Sequence, residues 1–410
     1  MPNSIVRLAA GGALLALAAA PLAAQNAVSH DTADSQIEEL VSRLSLDRYK
    51  ATIKGLTQFG DRQQGTDRNR AAIDWIEEQL KSYGCTPTER ITYDYESRPR
   101  SERQRPTPEQ LAALRRAREE GWSVGGSRMR GNRAHTGVNR DSLRQPDPRL
   151  RALNTQQPTD GERQEVYCTK VGTEHPDQMY IVGGHMDGLG WGEAANDDGS
   201  GTALVMELAR VFSMPDVKTS TSIRFILWNN EETGLNGARA YVEQRAPLQG
   251  KESPAGSGKY PEPRWLGMIQ HDMMMFDHGM PNADGTMPKA QRPEADVNIE
   301  FQSSSKFAEG AQKLAWAFRD ANEKYATDYP AAVGPHMTNT DSSPFMDLVP
   351  AISLRENERG MQIGAGWNPN WHQPTDLFST YSDDDFRLGL NAAQTSLGAV
   401  ATLAGARLTK

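Results

Sequence analysis

Cysteine is nearly absent from this chain of 410 residues, which has only Cys85 and Cys168. Two thiols so far apart exclude a thiolate-built metal site. They form one disulfide if their strand-like segments are neighbours and stay buried thiols if not, and the sequence leaves both open. An excess of positive charge is also missing: the net charge is −8, which removes any reason to expect nucleic acid or an acidic membrane as partner. Long apolar runs are confined to the first residues, and no internal repeat is present. Arg7 precedes an apolar run over 8–23, and Leu22-Ala23-Ala24 offers small residues for cleavage. That run falls short of the roughly 20 apolar residues of a spanning helix. Residues 1–24 therefore read as a signal peptide removed after Ala24. The expected product is exported, periplasmic or secreted, with no lasting membrane association.

The composition that remains, 37% hydrophobic and 24% charged, is that of a globular protein. Residues 25–96 hold N-terminal helices and a first strand. Ile37, Leu40, Val41 and Leu44 recur at helical spacing, as do Ile73, Ile76 and Leu80. Gly84 ends the second pattern, and 85–95 alternate like a strand. Residues 97–163 break the pattern, with 15 Arg against 8 acidic residues. This segment reads as a solvated insertion in a surface hairpin, with a short helix over 111–118. The alternative is a basic lid or docking arm over an acidic site.

From 164 to 410 strands and helices alternate. EVYCTKVG, MYIVGGHM, SIRFILWN, WLGMIQHDM and PAISLRE read as strands. Helices are predicted over 201–212, 236–245, 306–325 and 383–403. The predicted fold is α/β, a mixed and mostly parallel central sheet flanked by helices on both faces.

In such sheets ligands bind beyond the carboxyl ends of the strands. His185 and Asp187 close one strand, Glu231 and Glu232 the next, and Asp272 a third. Asp197 lies in the Gly-rich turn NDDGSG before a helix, where Asp198 or Ser200 can supply the cap. His372 follows in WHQPTD. Imidazole and carboxylate together suit a divalent ion such as zinc. Adjacent Glu231 and Glu232 diverge, so one can hold metal while the other faces substrate. The two-residue spacing of His185 and Asp187 lets the carboxylate hold the imidazole from its second nitrogen. His271 points away on a regular strand, His278 and His336 are candidates for the pocket wall, and Met273, Met274 and Met275 read as packing.

The ordered set HMD, NDDGSG, NNEETG, HDM and HQPTD resembles the secreted di-zinc aminopeptidases, over about 165–403 and the preceding helices. The resemblance implies a zinc-aminopeptidase fold and two zinc ions. One is shared by His185 and Asp272, the other by Glu232 and His372, with Asp197 bridging. It makes Glu231 the general acid/base and Asp187 the residue orienting His185. It also implies a cis peptide at Asp197-Asp198 and peptide substrates cut at the N-terminus. Two departures stand out: Trp371 occupies the place of a common Tyr beside the last His, and Thr340-Asp341-Ser342-Ser343-Pro344-Phe345 replaces a Ser-Asp-His-x-x-Phe segment. The competing readings are a carboxypeptidase or dipeptidase, with Arg292 and Arg355 as candidates for a carboxylate pocket, a one-zinc glutaminyl cyclase-type acyltransferase, and a non-catalytic binding module.

Overall fold

The computed structural model describes residues 33–97, 138–279, 282–284, 286–337, 339–356 and 368–409. The expected signal peptide over 1–24 and the helix expected over 111–118 both lie outside these residues.

The central sheet is built from β1 (Thr88–Tyr95), β2 (Gly161–Lys170), β3 (His175–His185), β4 (Thr221–Trp228), β5 (Arg264–His271), β6 (Val297–Phe301), β7 (Ala331–Gly334) and β8 (Ala351–Arg355). Its order is β1-β2-β4-β3-β5-β8-β6-β7. The four central strands β4, β3, β5 and β8 run parallel, while β2 and β6 join them antiparallel. The mixed, mostly parallel sheet thus matches expectation, although β6 and β7 were not anticipated. Strand β2 begins at Gly161, inside the segment assigned to the insertion.

Alternation along β4 shows how the strands split the core. Ile223, Phe225 and Leu227 face one side, and Ile226 and Trp228 the other. A helix over 33–42 comes first. It is followed by α2 (Leu46–Thr57), α3 (Asp67–Ser82), α4 (Pro148–Leu153), α5 (Gly199–Phe212), α6 (Asn236–Arg245), α7 (Ala308–Tyr325) and α8 (Asp383–Leu403). Residues of the first helix, α2, α3, α5, α7 and α8 pack on the first face. The second face is covered mainly by α6 and the turn carrying Phe345. Burying each large apolar side chain contributes about 1.5–3 kcal/mol. Helix α7 earns its place by an apolar stripe of Ala311, Leu314, Ala315, Phe318 and Ala321 at helical spacing. Helix α8 opens with a capping box between Ser382 and Asp385, which satisfies two donors its first turn would leave unpaired.

Cys85 and Cys168 form a disulfide. Cys85 sits in the turn after α3, just ahead of β1, and Thr88 of β1 pairs with Cys168 of β2, so antiparallel pairing brings the two together. The bond closes a loop across a sequence separation of 83. Replacing both cysteines with serine is expected to lower unfolding stability by about 2–4 kcal/mol. A shift in the denaturant midpoint reads this out, and an unchanged midpoint would refute it.

Candidate metal centre

At the carboxyl edge of β3, glycine brings the next element in. A Cβ on Gly184 would come within 2.8 Å of the Gly201 backbone, so only glycine lets the start of α5 lie against the strand. This close approach delivers Asp197 and Asp198 to His185. Asp198 caps α5 by accepting from the Gly201 N–H at 2.9 Å. Its carboxylate also accepts from the N–H groups of His185 and Met273, both at 3.0 Å. One buried side chain thereby ties β3, α5 and the end of β5 into a single frame. The Asp197-Asp198 peptide is cis.

Two clusters of ligand-type atoms result, His185–Glu231–Asp272 and Asp197–Glu232–His372, each with its atoms within 4.8 Å of one another. Nε2 of His185 lies 3.3 Å from Asp197 Oδ1 and 3.8 Å from Asp272 Oδ1. Nε2 of His372 lies 3.0 Å from Asp197 Oδ2 and 2.7 Å from Glu232 Oε2. Asp197 therefore turns one oxygen to each histidine, as a carboxylate shared by two cations would. Among the described residues, Glu232 Oε1 is buried without a hydrogen-bond partner, and Asp197 Oδ2 has only the His372 ring nitrogen beside it. Buried carboxylate oxygens left in this state are costly, and a divalent cation between the atoms supplies what they lack. Nitrogen and oxygen donors of this kind fit zinc.

Every residue singled out in the sequence for this chemistry is present at this edge. The adjacent glutamates diverge as expected, Glu231 to the first cluster and Glu232 to the second. Asp187 differs in detail. Nδ1 of His185 is 3.0 Å from the carbonyl oxygen of Asp187 and 3.8 Å from its carboxylate. The carboxylate instead accepts the Glu231 N–H at 3.0 Å, so Asp187 orients the histidine with its backbone and the glutamate pair with its side chain.

Several functional supports were not anticipated. Asp376 accepts from the N–H groups of Asn196 and Asp197, at 2.9 and 3.1 Å. Glu356, at the end of β8, accepts from Asn196 Nδ2 and from the N–H groups of Met275 and Phe276. Arg62 donates to the carbonyls of Met186, Glu193 and Ala194. Asp376 closes the HQPTD motif and Glu356 closes a strand like the other acids. Those positions were the available signal, whereas nothing marked Arg62.

Other candidates are placed elsewhere. Arg355 pairs with Asp272 at 2.9 Å and Arg292 with Asp277 at 2.7 Å. His271 points into the core, against Gly183 O and Ser396 Oγ. His278 is held between Pro288 O and Asp385 Oδ1, both at 2.6 Å, and His336 bridges to Gln302. Met273, Met274 and Met275 are buried packing. Trp371 stacks on His372 with ring centroids 4.0 Å apart. Asp341 is buried and accepts from Gln270 at 3.3 Å.

Charge in the metal-free site is balanced by protons. Burial works to lower the pKa of His372, but Glu232 and Asp197 outweigh it and raise it to about 10. His185 is likewise raised despite burial, by Glu231, Asp197 and Asp272. Burial lifts Glu232 to about 7 against the pull of His372. Near neutral pH both histidines then carry a proton that a cation must displace. Zinc affinity is accordingly expected to rise with pH from 6 to 8, with about one proton released per histidine. Calorimetric titration in buffers of different ionisation enthalpy measures this, and affinity falling with pH would contradict it.

Comparison with known proteins agrees with this geometry. Residues 165–393 match the model of peptidase family M28. The chain is 39% identical over 80 residues to the aminopeptidase YwaD of Bacillus subtilis, covering 20% of this chain and 17% of that protein. The chain spans 17–38% of the length of the first curated relatives it matches. Its fold resembles an aminopeptidase from Aneurinibacillus sp. strain AM-1, with TM-score 0.56 and 20% identity over 92% of this chain and 97% of that one. It also resembles a Porphyromonas gingivalis glutaminyl cyclase, with TM-score 0.53 and 15% identity over 88% and 99%. The family match covers more than half of the sequence, including all seven site residues at the sheet edge, and the chain belongs to peptidase family M28.

Proposed function

We propose that this protein is an exported aminopeptidase that releases N-terminal residues from peptides with two zinc ions. The observation that carries the reading is Asp197, with one oxygen at each histidine between two otherwise separate ligand clusters. Zinc in such a site supplies Lewis acidity and lowers the pKa of water toward about 7. Glu231 is the member of the first cluster that takes the proton from the attacking water and passes it to the leaving amine. Asp187 keeps Glu231 in place through the Glu231 N–H. Burial raises the Glu231 carboxyl well above the usual range, and nearby Asp341, Glu232 and Asp272 raise it further against His185.

Attack at the N-terminus follows from charge. An acidic site favours the substrate α-amine, whereas a carboxypeptidase needs a cation for the terminal carboxylate. Arg292 and Arg355, the residues offered for that task, are each engaged with an aspartate. The fold likeness to glutaminyl cyclase keeps cyclisation as the rival chemistry. Two clusters, each with its own histidine, favour two ions and hydrolysis over one ion and cyclisation. Export is supported by the N-terminal sequence and by the disulfide, a bond that persists in oxidising compartments.

Purified protein assayed on amino-acid p-nitroanilides tests the reading. Turnover should require a free α-amine, stop with a zinc chelator and return with zinc. Chelator-insensitive turnover, or equal cleavage of N-acetylated substrates, would overturn it.

A further inference from the structure

The segment ahead of β2 does more than connect. Three amide side chains from it, Asn139, Gln145 and Asn154, are buried, far from the usual place of such groups. All three meet backbone carbonyls of the loops that carry Asp197 and His372. Gln145 Nε2 donates to Trp191 O at 2.7 Å and to Pro374 O at 3.0 Å, one carbonyl from each loop. Its Oε1 accepts from Asp147 N at 3.1 Å, so the amide is fully used. Asn139 repeats the pattern, with its main-chain N–H to His372 O at 3.0 Å and its side chain to Gly190 O at 3.4 Å. Asn154 donates to Gly192 O at 2.9 Å and accepts from Asp61 N at 3.1 Å, anchoring the first loop to the body of the protein.

The two loops need such a clamp. They lie backbone against backbone: a Cβ on Gly190 would fall 2.3 Å from the His372 carbonyl. Trp191 and His372, whose carbonyls receive these bonds, have φ of +73° and +55°. Non-glycine residues keep such conformations only where their surroundings fix them. The first cluster has no such need, because His185 ends β3 and Asp272 directly follows β5, both central strands.

We propose that Asn139, Gln145 and Asn154 are positioning residues that clamp the loops of Asp197 and His372 together and thereby set the affinity of the second cation site, Asp197–Glu232–His372. The proposal rests on the two-ion reading above. Residues that orient metal ligands typically change affinity 10–100-fold when removed. The clamp should act most on this ion, since the other shares only Asp197 with the clamped loops.

Zinc titration of the metal-free protein, with a competing chromophoric chelator, distinguishes these cases. Wild type should show two ions. Gln145→Met, which keeps the length and loses both donors, should weaken one of the two affinities about 10–100-fold, with the other affected less. Asn139→Ala should weaken the same site less, since its main-chain bond survives, and serves if Gln145→Met proves poorly folded by circular dichroism. In a His372→Ala background, which retains the first site, Gln145→Met should alter zinc binding far less. Two ions in wild type with neither affinity changed or both changed equally in the variants, or an undiminished effect in the His372→Ala background, would overturn the clamp alone. A single ion in wild type would overturn the two-ion reading beneath it.

Discussion

Glu231→Gln is expected to lower kcat about 10²–10⁴-fold, the usual contribution of a positioned general acid/base, while zinc content and KM stay close to wild type. Glutamine matches glutamate in shape but accepts no proton. The Glu231 main chain, held by Asp187, is untouched, so the neighbouring Glu232 should keep its place beside His372. The loss should therefore appear in kcat and kcat/KM equally, as for an interaction made only in the transition state. Steady-state kinetics with zinc determined on the same sample checks this. Full activity in Glu231→Gln would remove the residue from proton transfer, and loss of zinc would recast it as a ligand.

Asp197→Ala should do greater damage by a different route. Its two oxygens face the two histidines at 3.3 and 3.0 Å. In the proposed two-ion site, removing them would take a ligand from both ions and the link that fixes their separation. We expect activity below that of Glu231→Gln and weakened retention of both ions through dialysis. The fold should persist, since the frame around the site is made by neighbours: Asp198 caps α5, Asp376 holds the main chain of Asn196 and Asp197, and Glu356 ties in the loop after β5. An Asp197→Ala protein that keeps both ions would contradict its place between the clusters.

The contrast between these residues explains what the sequence made legible. The candidate ligands stood out because chemistry restricts them to imidazole and carboxylate, and because His185, Glu231, Glu232 and Asp272 fall at or just beyond the ends of parallel strands. Apolar strands such as SIRFILWN and helices with a clear stripe were equally plain, and α6 and α8 have the predicted limits. Strand β6, VNIEF, escaped because its alternate positions are polar: Asn298 and Glu300 are buried and Asn298 pairs with Arg355 across the sheet. Strand β7, AAVG, is short and half-buried, with little pattern to find. The supports Arg62, Gln145 and Asn154 were hidden for another reason. They act on backbone carbonyls, which carry no side-chain signature, and they lie up to more than a hundred positions from the loops they hold. Asp376 and Glu356 sat inside motifs already noticed, yet a hydrogen bond to a distant main chain has no expression in local sequence.

Zinc-edge anomalous diffraction from crystals of the zinc-loaded protein tests the central claim most directly. The account predicts two peaks about 3.5–4 Å apart, one against His185 and Asp272, the other against Glu232 and His372, with Asp197 touching both. A single peak, or a pair that leaves Asp197 outside the coordination of either ion, would contradict it.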